Sequence, residues 1–218
     1  WAGAFDPMQV SVVDYGSGNL QSVKQALISA SSAAGINADI NVTDQPDAVA
    51  GADAVVLPGV GAFGDCMAGL EGIDGMRPAL EEATTTRGRP FLGICVGMQL
   101  MAAHGNEGGY CAGLDWIDGG VDALTPADPG LKIPHMGWNS LEMVENHPLW
   151  AGVEHGSAVY FLHSYAFTGS EKRLACTDYG GPVVAAIGYD NKVGLQFHPE
   201  KSQAVGQRIL ANWLNWKP

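Results

Sequence analysis

The chain has 218 residues, 46% of them hydrophobic and 16% charged: long enough to bury a large core and too weakly charged for a disordered polymer. Its 11 Lys and Arg against 23 Asp and Glu give a net charge of −12, which repels nucleic acid and anionic membrane surfaces unless a local basic patch intervenes. The sequence has no such patch, and its 30 glycines predict many tight turns and sites lined by backbone.

A membrane span is not expected: the longest apolar stretch, residues 54–63, is interrupted by Pro58, Gly59 and Gly61 and falls short of the ~20 residues required. The first nine residues lack a basic start and carry Asp6, so they do not read as a secretory signal. Met8 reads as the natural start, with residues 1–7 an N-terminal extension or an expression remnant. Cys66, Cys95, Cys111 and Cys176 contain no C-x-x-C pair, which argues against a zinc site or a disulfide framework. No metal or cofactor is expected, and a reducing cytoplasm is the expected compartment.

Residues 9–15 read as a buried strand, and Gly16-Ser17-Gly18-Asn19 turns the chain into a helix over 20–34 that Gly35 closes. A second strand over 36–43, a helical turn at 46–50 and an apolar strand at 52–57 follow. Pro58-Gly59-Val60-Gly61 leaves the third strand as a glycine-rich loop. A Glu- and Ala-rich helix is predicted over 76–86, then an apolar strand over 90–94 that ends at Cys95 and a helical stretch at 96–103. Such alternation predicts a parallel sheet covered on both faces. Later strands are predicted at 116–124, 131–138, 159–164, 174–178, 183–188 and 193–197, partly antiparallel, before an amphipathic helix at 203–216. No repeat or linker divides the chain. The expectation is one three-layer α/β domain over 8–218: a mainly parallel central sheet flanked by helices, plus a smaller, partly antiparallel sheet in the C-terminal half.

Gly93-Ile94-Cys95-Val96-Gly97 has the spacing of a nucleophile elbow, in which flanking glycines permit a strained strand-to-helix turn that lifts the thiol off the sheet. The following helix start favours the thiolate, and the Val96 N–H would point at the reacting centre. The same residues also read as a buried cysteine beside two packing glycines; Cys66, Cys111 and Cys176 read as structural. A thiolate nucleophile needs a base and a group to orient it. His198-Pro199-Glu200 offers both, since residues two apart in extended backbone point the same way and Pro199 biases His198 toward that geometry. A surface His-Pro turn is the alternative. The H-x-E spacing also opens the zinc deaminase signature, but the P-C-x-x-C that must follow is missing. Pro58-Gly59-Val60-Gly61 lies where open α/β sheets place their ligand crevice and would supply a second oxyanion N–H, or is a plain turn.

Gly93-Ile94-Cys95-Val96-Gly97-Met98-Gln99 taken with His198-Pro199-Glu200-Lys201-Ser202 resembles the class I, triad-type glutamine amidotransferases. Within that class, residues 14–20, Pro58-Gly59-Val60-Gly61-Ala62-Phe63-Gly64, His135-Met136-Gly137-Trp138-Asn139 and His163-Ser164-Tyr165 are similar to the glutaminase subunits that serve imidazole glycerol phosphate synthesis. The resemblance runs from about Met8 to the C-terminus and implies hydrolysis of glutamine to glutamate and ammonia. Cys95 would attack, His198 would carry the proton and Glu200 would orient it. Val96 with Val60 and Gly61 would hold the oxyanion, and Gln99, Glu107, Ser164 and Tyr165 would grip the amino-acid end of glutamine. The implied partner is a (β/α)₈ cyclase in a heterodimer, which takes the ammonia to make imidazole glycerol phosphate and aminoimidazole carboxamide ribotide in histidine biosynthesis.

Partner contacts implied in the same way are Asn19, Ser22, Met136, Trp138 and Lys201, with Lys201 as a gate; taken alone, Trp138 reads as core and Lys201 as a solvated lysine. Val96 departs from the usual Leu without affecting its backbone N–H, and residues 101–106 depart from the acidic and aromatic run that precedes the substrate glutamate. Two other readings are a stand-alone cysteine hydrolase, active without a partner, and a catalytically silent binding module.

Overall fold

The computed structural model describes residues 6–218, so residues 1–5 of the expected extension lie outside the described residues. The first half runs β1 (Met8–Val13), α1 (Leu20–Ala33), β2 (Ala38–Thr43), α2 (Pro46–Gly51), β3 (Ala54–Gly59), α3 (Phe63–Glu71), α4 (Met76–Glu81), β4 (Phe91–Cys95) and α5 (Val96–Gln99). The second half runs β5 (Ala102–Gly105), β6 (Cys111–Ala112), β7 (Ile117–Ala123), β8 (His135–Ser140), β9 (Glu142–Met143), β10 (Ala158–His163), β11 (Tyr165–Phe167), β12 (Arg173–Asp178), β13 (Pro182–Tyr189), β14 (Lys192–Leu195) and α6 (Gln203–Asn215). Eight strands form one sheet in the order β2-β1-β3-β4-β14-β13-β12-β9. The first five are parallel and the last three join antiparallel. A sheet of β11-β7-β5-β6 and the antiparallel pair β10-β8 lie apart from it.

The chemistry of the central strands explains their place. β3, β4 and β14 are buried at every residue, as strands covered on both faces must be, and their sequences are correspondingly almost free of charge. Helix α1 packs against α6, and α2 against α4, which flanks the sheet with two helical groups. The predicted fold class is therefore the observed one.

Four local expectations change. Strand β3 runs on through Pro58 and Gly59, so the loop begins at Val60. Residues 63–71, unassigned in the sequence, form α3, which buries Phe63, Cys66, Met67 and Leu70. The helix expected over 96–103 is a single turn, because carbonyls of residues 100–103 accept N–H groups from residues 113–117 and so are withheld from a longer helix. The strand expected at 131–138 lies instead at His135–Ser140, paired antiparallel with β10.

Candidate active site

The carboxyl ends of three neighbouring strands define the site. Gly59 of β3 stands in register with Cys95 of β4, and Ile94 with Leu195 of β14, so the chain leaves the sheet at one edge as residues 60–62, 95–96 and 196–198. At Cys95 the backbone is left-handed, with φ of +55°, a conformation unusual for a residue with a side chain and typical of a strained functional turn. Two glycines make it sterically possible. A Cβ on Gly97 would sit 1.7 Å from Leu57 O, and one on Gly93 would sit 2.6 Å from Gly97 O. Cys95 is thus held by a backbone crossing that no larger residue fits. With α5 only one turn long, the thiolate owes little to a helix dipole; what remains is the N–H of Val96, the first helical residue, whose donor has no acceptor within the helix.

The base arrives from β14. His198 N–H donates to Tyr160 O at 2.8 Å, and Ser202 Oγ donates to His198 O at 2.7 Å while accepting the Tyr160 N–H, which ties this segment to β10. Pro199 starts a 3₁₀ turn, Pro199–Lys201, which brings Glu200 Oε1 to 2.8 Å from His198 Nδ1. The pairing of residues two apart therefore comes from a turn, where extended backbone was expected. Both side chains are buried. Burial by itself would lower the imidazole pKa, but the nearby Cys95 sulfur and the hydrogen-bonded Glu200, with their charges, raise it to about 9. His198 Nε2 has no protein partner of hydrogen-bonding geometry, and the Cys95 thiol faces Leu162 O at 3.7 Å.

These groups open on a cavity of about 420 Å³ that also includes Gln99, Glu107, Ser164, Tyr165 and Lys201. The four expected substrate residues thus line one space with Cys95 and His198. Glu107 Oε2 accepts the Phe63 N–H at 2.9 Å, and Gln99, almost fully buried, donates through Nε2 to Tyr165 O at 2.9 Å and Gln196 Oε1 at 3.0 Å.

The loop after β3 is turned elsewhere. Val60 N–H donates to Ser17 Oγ at 3.0 Å, Ser17 Oγ donates to Val60 O at 2.7 Å, and Cys66 Sγ lies 3.3 Å from both Ser17 Oγ and Val60 O. This commits the Val60 N–H away from the sulfur. Gly61 supports the bend with φ of +92°. Of the expected partner contacts, Met136 and Trp138 are exposed by 64% and 49%, which overturns the reading of Trp138 as core. Ser22 and Lys201 are exposed, and Asn19 is half-buried at the start of α1. Ser17 and Gln196 carried no expectation; their signals were only their positions, inside the first glycine turn and two residues before His198.

A strained cysteine, an imidazole backed by a carboxylate and a cavity at a sheet edge are the parts of a cysteine-nucleophile site. The class-I glutamine amidotransferase family model matches residues 11–216, and the chain belongs to that family. It is 58% identical to "Imidazole glycerol phosphate synthase subunit HisH" of Rhodospirillum rubrum, with 97% of this chain and all of the relative covered. The proteins of that name in Agrobacterium fabrum and Caulobacter vibrioides are each 52% identical, with at least 96% of this chain and 99% of theirs covered. Among solved structures, a glutamine amidotransferase superposes with a TM-score of 0.69 at 17% identity, covering 94% of this chain and 97% of its own. Another, from Thermotoga maritima, gives 0.60 at 18% identity, covering 90% of this chain and 77% of its own.

Proposed function

We propose that this chain is the glutaminase subunit of imidazole glycerol phosphate synthase, releasing ammonia from glutamine for a cyclase partner in histidine biosynthesis. The observation that carries the reading is the buried 2.8 Å bond between His198 and Glu200 behind a strained Cys95 at the floor of the cavity. Full-length identity of about half to subunits of that name supports the choice of partner.

In this reading the Cys95 proton passes to His198 Nε2 and the thiolate attacks the carboxamide carbon of glutamine. The oxyanion is held by the Val96 N–H and by a donor from Val60 or Gly61, once the loop turns inward. His198, cationic below about pH 9, gives its proton to the departing nitrogen and ammonia leaves. Water, deprotonated by His198, then cleaves the thioester to release glutamate and restore the thiol. Glu107 offers its carboxylate to the α-ammonium, and Gln99, Ser164 and Tyr165 complete the grip on the amino-acid end. The cyclase uses the ammonia to form imidazole glycerol phosphate and aminoimidazole carboxamide ribotide. A sealed junction with it is chemically useful, because ammonia released into water is protonated and loses its nucleophilicity. Asn19, Ser22, Met136, Trp138 and Lys201 form the docking face, with Lys201 at the cavity rim as the gate.

Residues 8–218 make up the amidotransferase domain, and the cytoplasm is the natural site for this biosynthetic step. Among the described residues no helix is long and apolar enough to cross a membrane.

The test is glutamine turnover by the purified chain with and without the cyclase subunit. Slow turnover alone, strong stimulation by the nucleotide-loaded cyclase, and complete loss in Cys95→Ala are expected. Rapid turnover that the cyclase leaves unchanged would favour a stand-alone amidohydrolase.

A further inference from the structure

Gln196 is fully buried two residues before His198, and no step above uses it. Its orientation follows from neighbours whose hydrogen-bonding roles are fixed. The Tyr165 carbonyl can only accept, and it lies 2.9 Å from both His163 Nδ1 and Gln99 Nε2. His163 therefore carries its proton on Nδ1 and accepts at Nε2 from His135 Nδ1, 3.0 Å away, which leaves His135 Nε2 to accept from Asn139 Nδ2 at 3.2 Å. Gln99 presents its NH₂ group to Tyr165 and uses the second N–H of that group for Gln196 Oε1 at 3.0 Å. Gln196, with its oxygen so committed, has only its own NH₂ group to turn toward Cys95. That nitrogen lies 3.8 Å from the Cys95 sulfur, within the range of an N–H···S contact.

We propose that Gln196 is a further catalytic residue of the glutaminase reaction, its side-chain N–H donating to the Cys95 sulfur and stabilising the thiolate. When the S–H bond breaks, the proton goes to His198 and the electron pair stays on sulfur. A donor already aimed at that atom gains strength as the charge appears, because hydrogen bonds to ions are roughly twice as strong as neutral ones. The network from Asn139 to Gln99 prevents the Gln196 amide from flipping to present its oxygen instead. The inference rests on Cys95 as the nucleophile.

Other titratable groups also surround the sulfur. His198 and Glu200 follow β14, His163 ends β10, Tyr15 and Cys66 approach from the β1 side and α3, and Glu107 and Lys201 line the cavity. Gln196→Met adds no titratable group to this set, whereas Gln196→Glu adds a carboxylate beside the sulfur.

The experiment compares Gln196→Glu and Gln196→Met with the native full-length chain. It follows alkylation of Cys95 by iodoacetamide across pH, read on the Cys95 peptide, together with glutamine turnover in the complex with the cyclase. Alkylation at neutral pH is expected to slow about tenfold with its profile displaced to higher pH, and kcat to fall by a similar factor while KM changes by less than about twofold. Alkylation profiles that superimpose on the native one, in variants with native circular dichroism, would overturn the proposal. Should neither variant fold, the Gln196 side-chain amide signals of the native chain decide by NMR. They are expected to move with pH in step with Cys95 alkylation and to stay fixed in Cys95→Ala; signals indifferent to pH would count against the contact. Survival of turnover in Cys95→Ala is a separate outcome, which would sink the nucleophile reading itself.

Discussion

The proton that His198 takes from Cys95 is held through neutral pH, because two partners outweigh the cost of burying a cation. Desolvation alone would lower its pKa, but Cys95 and Glu200 raise it to about 9. The Glu200 side chain is 1% exposed, and its second oxygen, Oε2, has no protein partner, so its charge is directed at the imidazole and hardly screened by water. Activity that needs the imidazolium should therefore decline as pH rises through about 9, and the limb should respond to Glu200. In Glu200→Gln the position of the alkaline limb of kcat/KM is expected to move to lower pH, with a loss of about 10²–10⁴-fold, as when an orienting carboxylate is lost from a comparable triad. A pH–rate profile for the complex checks this. A loss of rate with the limb unmoved would mean that Glu200 only packs.

The loop between β3 and α3 and the turn between β1 and α1 meet side by side because β1 and β3 are neighbours in the sheet. Ser17, in the turn, both donates to and accepts from the Val60 peptide. Two neutral hydrogen bonds, each with a net value of about 1 kcal/mol, are enough to bias a glycine-flanked peptide without locking it. Ser17→Ala is expected to raise glutamine turnover of the isolated chain about fivefold and to shrink the stimulation by the cyclase in proportion. Steady-state assays of both forms decide the matter. Unchanged basal turnover would show that the loop is held by other contacts.

At the scale of the whole molecule, one face and one pH window stand out. Tyr160 gathers part of the proposed docking face: Trp138 meets its ring edge-on at 5.9 Å and Lys201 Nζ lies 5.7 Å above it. A half-exposed tryptophan on a strand beside the cavity has the character of an interface anchor. Trp138→Ala is expected to weaken cyclase binding about thirtyfold in titration calorimetry, with Cys95 alkylation unchanged. Affinity equal to native would remove Trp138 from the interface. Stability depends on pH through groups with opposite shifts. Burial lowers His135 and His163 to about 4, so the unfolded chain binds protons that the folded one refuses, and stability drops as pH falls from 6.5 toward 4. His198 works the other way: its contribution is complete below 6.5 and disappears as pH rises through about 9. Melting temperatures across pH should therefore peak near 6.5, and His135→Gln should flatten the acid side. An acid limb identical to native in that variant would refute the assignment.

The sequence by itself determined the fold class, the order of the central elements and the choice of Cys95, His198 and Glu200 as the proposed triad, since each rests on short-range patterns. Apolar runs such as that of β3, glycines around Cys95 and a proline beside His198 act within a few residues. Residues 63–71 were missed because Gly64 and Gly69 weaken a helical pattern and α3 has no capping side chain at its start. The helix after Cys95 was overextended because the carbonyls that end it find partners ten or more residues on. Ser17 reaches Val60 across 43 residues and Gln99 reaches Gln196 across 97. Which donor meets which acceptor over such separations depends on strand order and register, and these arise only when the whole sheet assembles.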